Sequence, residues 1–445
     1  MILESYLPPT EPQLDYDAPA NQVWPVLVSA NDEGALTSAE RDLAEYLTSH
    51  PQVNLYDAAY HSLLGQTWHP HRTVVFGAST AEVAKTLLAC ADGTADRTLV
   101  DTGLALKAPN GAAFIYSGNG SQWAGMAKNL LAEDPVFKRT IRQVDAIYAN
   151  YTDHCLETEL AGIGADRYAA TEIAQPALFA IQVGITQMLR SKGLMPTAVA
   201  GHSVGEVPAA WAAGALSLEA AVEIIYQRSR WQSVTKGSGA MTAVRLDHPE
   251  VISLLEASGL VSAIVIAGFN SHRGVTLSGD TAALAKFETF LTGQNIVHRR
   301  LALDYAFHSA AMDPIEAGVT SSLANLQPVN GPIPFYSTVT GAKLETTELG
   351  AEYWWHNIRK PVMFKQAINQ MLADGLNIFI EIGPHSVLRS YINDSLHHAG
   401  HEGRIISTLN LGDDYPHKVW GAYRQAMIAG AELDWPTLFP EPGCF

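Results

Sequence analysis

The sequence predicts an α/β protein in which one large strand-and-helix unit is interrupted by a smaller unit and preceded by another. Three observations predict this. Short apolar runs such as AAFIYS (112–117) and LNIFIEIG (376–383) alternate with long helical patterns, the rhythm of a sheet covered by helices. Between residues 239 and 305 the order changes to strand, helix, two strands, helix and strand, which is the ferredoxin-like pattern. Beyond it the first rhythm resumes, so the middle piece reads as an insertion.

Taken in order, PTEPQLDYDAPA (9–20) is rich in Pro and Asp and reads as an exposed connector. VWPVLVSA predicts a strand, SAERDLAEYLTS a helix opening at a Ser38 cap, and NLYDAAYHSLLGQ a second helix. RTVVFGAS, TAEVAKTLLACA and RTLVDTG then give strand, helix and strand. The large unit opens at AAFIYS, followed by the loop GNGSQW (118–123). TEIAQPALFAIQVGITQMLRS is a long helix that tolerates Pro176 near its start, and TAVA is a short buried strand. Within the insertion, GAMTAVRL, SAIVIAGFN, GVTLSG and IVHRRLAL are the strands, with HPEVISLLEAS and AALAKFETFLTGQ the helices.

At 445 residues the chain exceeds one compact core and suggests about three folding units. With 47% hydrophobic and 16% charged residues it reads as globular, and no apolar run approaches the ~20 residues of a membrane span. The first residues lack the basic and apolar regions of a secretory signal. Cys90, Cys155 and Cys444 are scattered and form no C-x-x-C pair, which fits a reducing cytoplasm and argues against structural zinc. A net charge of −17 argues against nucleic acid and requires that any anionic ligand be held by a local cationic site.

TAVAGHSVGE (197–206) carries the sharpest signal. A short strand before GHSVG and a helix after it form the frame of a nucleophile elbow, which exposes a serine Oγ beside the helix N-terminus and makes the large unit α/β-hydrolase-like. Ser203 is then either a nucleophile or a plain helix cap. Of 16 histidines, His69, His71, His397, His398 and His401 sit in polar, loop-like stretches, and the His397–His401 spacing lacks the further ligands of a zinc site. His202 is the motif's own variable position and points away from Oγ. His308, in DYAFHS, follows the last strand of the insertion and is placed to face the elbow as a general base, or else to sit satisfied in the core. His385 is the second candidate. GNGSQW fits neither a dinucleotide nor a Walker loop and is better read as a source of a backbone N–H near Ser203. Gly214 and Ser217 break the segment after the elbow, and Arg228 lies on the helix beyond; taken alone it reads as a surface cation.

Together these residues resemble the acyltransferase domain of a type I polyketide synthase, of the malonyl-CoA:acyl carrier protein transacylase family. GHSVGE, AQPAL (174–178), YWWHNIRKPVMF (353–364) and EIGPHSVL (381–388) follow the family's order across nearly the whole chain. ILESYL (2–7) resembles the tail of a ketosynthase domain, which implies a piece of a longer synthase. The resemblance implies a ketosynthase–acyltransferase linker over 1–105 and an acyltransferase large subdomain over 106–238 and 306–412. It also implies a ferredoxin-like small subdomain over 239–305 and the start of a post-acyltransferase linker over 413–445.

The resemblance makes Ser203 the acylated nucleophile, His308 its base and Arg228 the partner of the extender unit's free carboxylate. It assigns the oxyanion to the Val204 and Asn119 N–H groups, acyl orientation to Gln175, and substrate contacts to Tyr305, Phe307 and His202. It implies no metal and no permanently bound cofactor, with acyl-CoA as substrate and phosphopantetheine carried by a partner acyl carrier protein. A neighbouring ketosynthase in the parent chain, a cytoplasmic location, a role in antibiotic biosynthesis, and no nucleic-acid or membrane partner are also implied. Carrier and CoA are both acidic, so a local Lys/Arg patch is expected at the site entrance. The family's Gly-Gln-Gly is Gly118-Asn119-Gly120 here, and Pro208 stands in the elbow helix. In the family HAFH goes with malonyl and YASH with methylmalonyl. This chain has Tyr305-Ala306-Phe307-His308, and Phe307 fills the space of an α-methyl, which points to malonyl. The alternatives are a methylmalonyl or other substituted extender, an α/β serine hydrolase using Asp280 or Asp304 as the acid, and a silent scaffold domain.

Overall fold

The structure, a computed structural model, describes residues 23–162 and 165–443. The ILESYL stretch, the 9–20 connector and Cys444 lie outside the described residues. The first unit is an antiparallel sheet of β1 (Trp24–Ala30), β2 (His71–Gly77) and β3 (Val100–Leu104) in that order, with Val26 opposite Val75. Its first helix spans Glu33–Ser49 and opens at Asp32, whose carboxylate accepts from Ala35 N–H at 2.8 Å. The expected Ser38 cap is displaced: Ser38 lies inside the helix and its hydroxyl donates back to the Gly34 carbonyl at 3.1 Å. Asp32 wins because a carboxylate is the stronger acceptor for a free first-turn N–H, and Glu33 beside it also suits the helix N-terminus.

The large unit contributes β4 (Ala113–Tyr116) and β5 (Ala198–Gly201), with the Thr171–Arg190 helix between them. Then come the inserted β6 (Ala240–Val244), β7 (Ile264–Ser271), β8 (Gly274–Gly279) and β9 (His298–Arg300). The large unit returns with β10 (Phe335–Ser337), β11 (Ala342–Leu344), β12 (Ile378–Ile382) and β13 (Arg404–Ser407). Its sheet runs β11-β10-β5-β4-β12-β13, parallel except for the β10–β11 pair. Side chains alternate across it: Ala113, Ile115, Ala198 and Ala200 enter one core, Phe114, Tyr116 and Val199 the other. Both faces are therefore buried, as parallel strands require. The carboxyl ends of β4, β5 and β12 lie side by side and lead into residues 118–123, the GHSVGE turn and the 383–388 loop. That is where open α/β sheets hold ligands.

The inserted sheet is antiparallel in the order β7-β8-β6-β9, and its two helices bury Val251, Leu255, Leu284 and Phe287 in a core of their own. This is the ferredoxin-like arrangement the sequence predicts. β9 stops at Arg300 instead of running through Leu303, because the chain turns there, with Leu303 N–H on the Leu301 carbonyl at 2.8 Å. The insertion docks on the large unit through Phe269 N–H to the Val362 carbonyl (2.8 Å) and Val362 N–H to the Ala267 carbonyl (2.9 Å). The Pro416–Ala429 helix packs back onto β2 and β3, where Arg424 Nε meets Asp101 Oδ2 at 2.8 Å.

Candidate active site

β5 ends at Gly201, and a 3₁₀ turn over Ser203–Gly205 leads into the Glu206–Ala212 helix. The turn needs its glycines. A Cβ on Gly201 would stand 2.2 Å from the Glu206 nitrogen, and one on Gly205 would stand 2.3 Å from the Tyr116 carbonyl oxygen. Ser203 has φ +54°, in the left-handed region. Its hydroxyl caps no helix; it lies 2.9 Å from His308 Nε2 and accepts from Arg228 Nη2 at 3.2 Å. Pro208 is the third residue of the helix, where an N–H has no partner within that helix, and the helix continues to Ala212.

His308 also has a positive φ, +59°, and its backbone N–H reaches the Ile358 carbonyl at 3.3 Å. Its Nδ1 lies 2.8 Å from the Lys360 carbonyl oxygen, which can only accept. Nδ1 therefore carries the proton and Nε2 presents a lone pair to the Ser203 hydroxyl. Burial, reinforced by the charge of Arg228, pushes the imidazole down to about 3, so it is neutral around pH 7. The acid of a hydrolase triad has no place here: the Lys360 carbonyl occupies Nδ1, and Asp280 caps the Thr281–Gly293 helix by accepting from Ala283 N–H.

Arg228 is 1% exposed, not the surface cation its sequence context suggests. Its Nη1 donates to Gln175 Oε1 at 2.6 Å and to Gln232 Oε1 at 2.7 Å, and its Nε to Asn357 Oδ1 at 3.2 Å. Burial lowers its pKa to about 9, with Glu206 acting against the shift, so it keeps its charge at neutral pH. Glu206 is fully buried, and burial raises its carboxyl to about 7. It accepts from Thr338 N–H, Thr338 Oγ1, Tyr353 OH and Asn357 Nδ2. Sequence reasoning missed Gln232, Glu206 and Asn357 as members of this network. Their only signal is a polar residue in an otherwise apolar helical face, with Gln232 one turn after Arg228.

Ser203 and His308 open onto a cavity of about 430 Å³ between the large unit and the insertion. Asn119, His202 and Phe307 line it, with Met241 and Leu301 of the insertion opposite. Val204 follows Ser203 in the turn and is buried. His202 faces away from the nucleophile, its Nε2 2.8 Å from Asn270 Oδ1 of the insertion. Arg228 is itself off the cavity wall, behind the Ser203 hydroxyl that its Nη2 meets, with Gln175 beside it; Tyr305 stacks behind Phe307 with ring centroids 4.7 Å apart, so none of these three lines the cavity. His385 reaches the cavity wall but accepts from Leu411 N–H and makes no bond to Ser203. His71 opens β2, while His397 and His398 end the Arg389–Ala399 helix, so these three are not in loops as their polar context suggested. Ile392 and Leu396 give that last helix its buried stripe.

Among the described residues Arg299 is the one Lys or Arg side chain on the cavity wall. Among the same residues, no three His, Cys, Asp or Glu side chains are grouped to hold a metal. No helix there is long and apolar enough to cross a membrane.

A family model described as acyl transferase domain matches residues 113–432, and one described as CurL-like, PKS C-terminal matches residues 25–87. The polyketide synthase GfsB of Streptomyces halstedii is 35% identical over 437 residues, which is 95% of this chain and 8% of that protein. The spectinabilin polyketide synthase system protein NorA of Streptomyces orinoci is 35% identical over 99% of this chain and 23% of its own length. The chain thus spans a small part of the curated relatives it matches. The crystal structure of the acyltransferase domain from module 8 of the salinomycin polyketide synthase superposes with a TM-score of 0.84. It is 31% identical, over 93% of this chain and 98% of that one.

Proposed function

The chain belongs to the acyl transferase domain family found in type I polyketide synthases and is a transferase; on that premise we propose that it moves a malonyl unit from CoA to a carrier-protein thiol through an acyl-Ser203 intermediate. One observation carries this reading. Ser203 Oγ is within hydrogen-bond reach of both a neutral imidazole and a buried guanidinium. A base beside the nucleophile suits acyl transfer in general, and a buried cation beside it suits an acyl group that ends in a carboxylate.

In the first half-reaction the Ser203 hydroxyl gives its proton to His308 Nε2 as Oγ attacks the thioester carbon. The resulting oxyanion is met by the N–H groups of Val204 and Asn119, at the start of the elbow turn and on the facing loop. The C–S bond then breaks, and the CoA thiolate takes the proton from His308. The phosphopantetheine thiol of the carrier protein reverses the sequence: it yields its proton to His308, attacks the acyl carbon, and Ser203 leaves as the hydroxyl. His308 starts and ends each half neutral, which the Lys360 carbonyl on Nδ1 and the burial of the ring favour. Arg228 holds the extender carboxylate, with Gln175 orienting the guanidinium from behind.

Malonyl is the proposed extender because Phe307 lies on the cavity wall with Tyr305 stacked against it, a bulky and backed side chain where an α-substituent would need room. The carrier protein and a neighbouring ketosynthase are the proposed partners. Intact-protein mass spectrometry after incubation with an equimolar mixture of acetyl-, malonyl- and methylmalonyl-CoA tests the whole reading. A malonyl adduct that vanishes in Ser203→Ala supports it. No adduct on the wild-type chain overturns it in favour of a silent domain, and a dominant methylmalonyl adduct overturns the extender assignment.

A further inference from the structure

We propose that Asn357 is a positioning residue that locks the carboxylate-binding arginine to the nucleophile elbow, with Glu206 dictating which way its amide points. This rests on the reading that Arg228 holds the extender carboxylate. Asn357 is 2% exposed, and both ends of its amide are engaged. Nδ2 donates to the Ser203 carbonyl at 3.0 Å and to Glu206 Oε2 at 2.8 Å, while Oδ1 accepts from Arg228 Nε at 3.2 Å. An amide has one accepting end and one donating end, so the oxygen can face Arg228 only if the nitrogen has acceptors on its other side. Glu206 Oε2 and the Ser203 carbonyl are those acceptors.

The same stretch of chain also holds the base. Asn357 is in the last turn of the Ala351–Arg359 helix, and the carbonyls of Ile358 and Lys360 receive the His308 backbone N–H and Nδ1–H. Nucleophile, base and arginine therefore share one support. The consequence for Arg228 is specific. Its Nε is taken by Asn357 and its Nη1 by Gln175 and Gln232, so Nη2 alone is turned to the Ser203 hydroxyl. The extender carboxylate is thus received at Nη2, and releasing Nε lets the fork rotate away from that direction.

The test compares Ser203 acylation by malonyl-CoA and by acetyl-CoA, which lacks the carboxylate, in kcat/KM and in its two parts. Asn357→Ala should lower the malonyl-to-acetyl ratio by about tenfold (~1.4 kcal/mol), mainly through the malonyl KM. Glu206→Gln should do the same while conserving shape. Its single oxygen is needed both by Thr338 N–H and by Asn357 Nδ2 on the opposite side, so either orientation sets a donor against a donor. Tyr353→Phe removes another donor to Glu206 Oε2 but no contact with Arg228 or Ser203, and should lower the melting temperature while keeping the ratio. The proposal is overturned if Asn357→Ala and Glu206→Gln lower the melting temperature yet keep the ratio within about twofold, the spread expected of assays. Should Asn357→Ala fail to fold, Asn357→Ser and Glu206→Gln decide by the same ratio. A wild-type chain that takes no malonyl group, or takes it no better than acetyl, overturns the functional reading itself, a distinct outcome.

Discussion

Ser203 Oγ stands 2.9 Å from His308 Nε2, and both residues hold a left-handed backbone, φ +54° and +59°. For residues other than glycine such a conformation costs of order 1–3 kcal/mol, and it persists only where the surroundings over-determine it. Here the glycine-tight elbow fixes Ser203, and the carbonyls of Ile358 and Lys360 fix His308. His308→Ala should therefore slow acylation of Ser203 by about 10²–10⁴-fold, the range for a positioned acid–base group. Single-turnover release of the CoA thiol measures it, and a circular-dichroism spectrum like that of wild type shows that the fold is kept.

The pH dependence follows from the same burial. His308 is displaced from 6.5 down to about 3, which favours its neutral form in the folded chain. Its contribution to stability is complete above pH 6.5 and is lost as pH falls from there towards about 3. The base stays competent over the same window. Single-turnover acylation by acetyl-CoA, which makes no use of the Glu206–Asn357–Arg228 support, should show no acid limb near pH 6.5, where an ordinary histidine would place one. Glu206 runs the other way: burial raises it from 4.5 to about 7, so its stability cost is absent below 4.5 and complete above about 7. A loss of acetyl-CoA acylation centred on pH 6.5 would contradict the buried, neutral base, whereas a limb near 7 seen with malonyl-CoA alone belongs to Glu206.

Arg228 makes the charge-specific prediction. Arg228→Ala should reduce kcat/KM for malonyl-CoA by about 10²-fold or more, consistent with the ~2–5 kcal/mol of a buried charge-assisted contact. Acetyl-CoA should lose far less. Arg228→Lys should not rescue, because a single ammonium cannot meet Gln175, Gln232, Asn357 and Ser203 in the directions a planar fork does. Equal losses for both substrates would mean that Arg228 supports the elbow and does not select the substrate.

The elbow and the inserted ferredoxin-like unit were legible because each has a local signature: small residues at a turn and a change of element order. The residues alone left His308 open between a base and a core histidine, and only the family resemblance paired it with Ser203. The support for Arg228 was not legible. Asn357, Glu206 and Gln232 come from three helices, and nothing in the spacing of 206, 232 and 357 says that their polar ends converge. Buried polar networks are assembled by tertiary packing, so their members look like ordinary helix residues in the sequence. Ser38 shows the reverse error. It carries a good capping side chain, yet the helix begins six residues earlier at Asp32.

Phe307 is buried on the cavity wall, and Tyr305 lies flat behind it, with the ring planes 11° apart. Tyr305 backs the ring, so shrinking Phe307 is the direct way to give the pocket space. Phe307→Ser should raise the methylmalonyl-to-malonyl ratio of kcat/KM by about tenfold, inside the ~1–3 kcal/mol that one methyl group can command. Competition between the two CoA esters, read by adduct mass, measures it directly. An unchanged ratio would move selection to the insertion's side of the cavity, at Met241 and Leu301.

Arg424 ties the last long helix to the first unit. Its side chain is 2% exposed and meets Asp101 on β3 at 2.8 Å, while burial raises the Asp101 carboxyl above its usual 3.8 and Arg424 pulls it back. Arg72 reinforces the seam from β2, donating to the Met427 and Ile428 carbonyls of the same helix. Arg424→Ala leaves the carboxylate without its cation, a loss of about 3 kcal/mol. The sign with pH is fixed by the unpaired acid. Below 3.8 Asp101 is protonated in both folded and unfolded chains and its charge costs nothing; as pH rises past its elevated folded value the cost is complete. Thermal melts of Arg424→Ala should therefore fall furthest below wild type at neutral pH and draw closer to it under acid. A deficit that is the same at both pH values would assign the seam to packing of Tyr423 and Met427 in place of the ion pair.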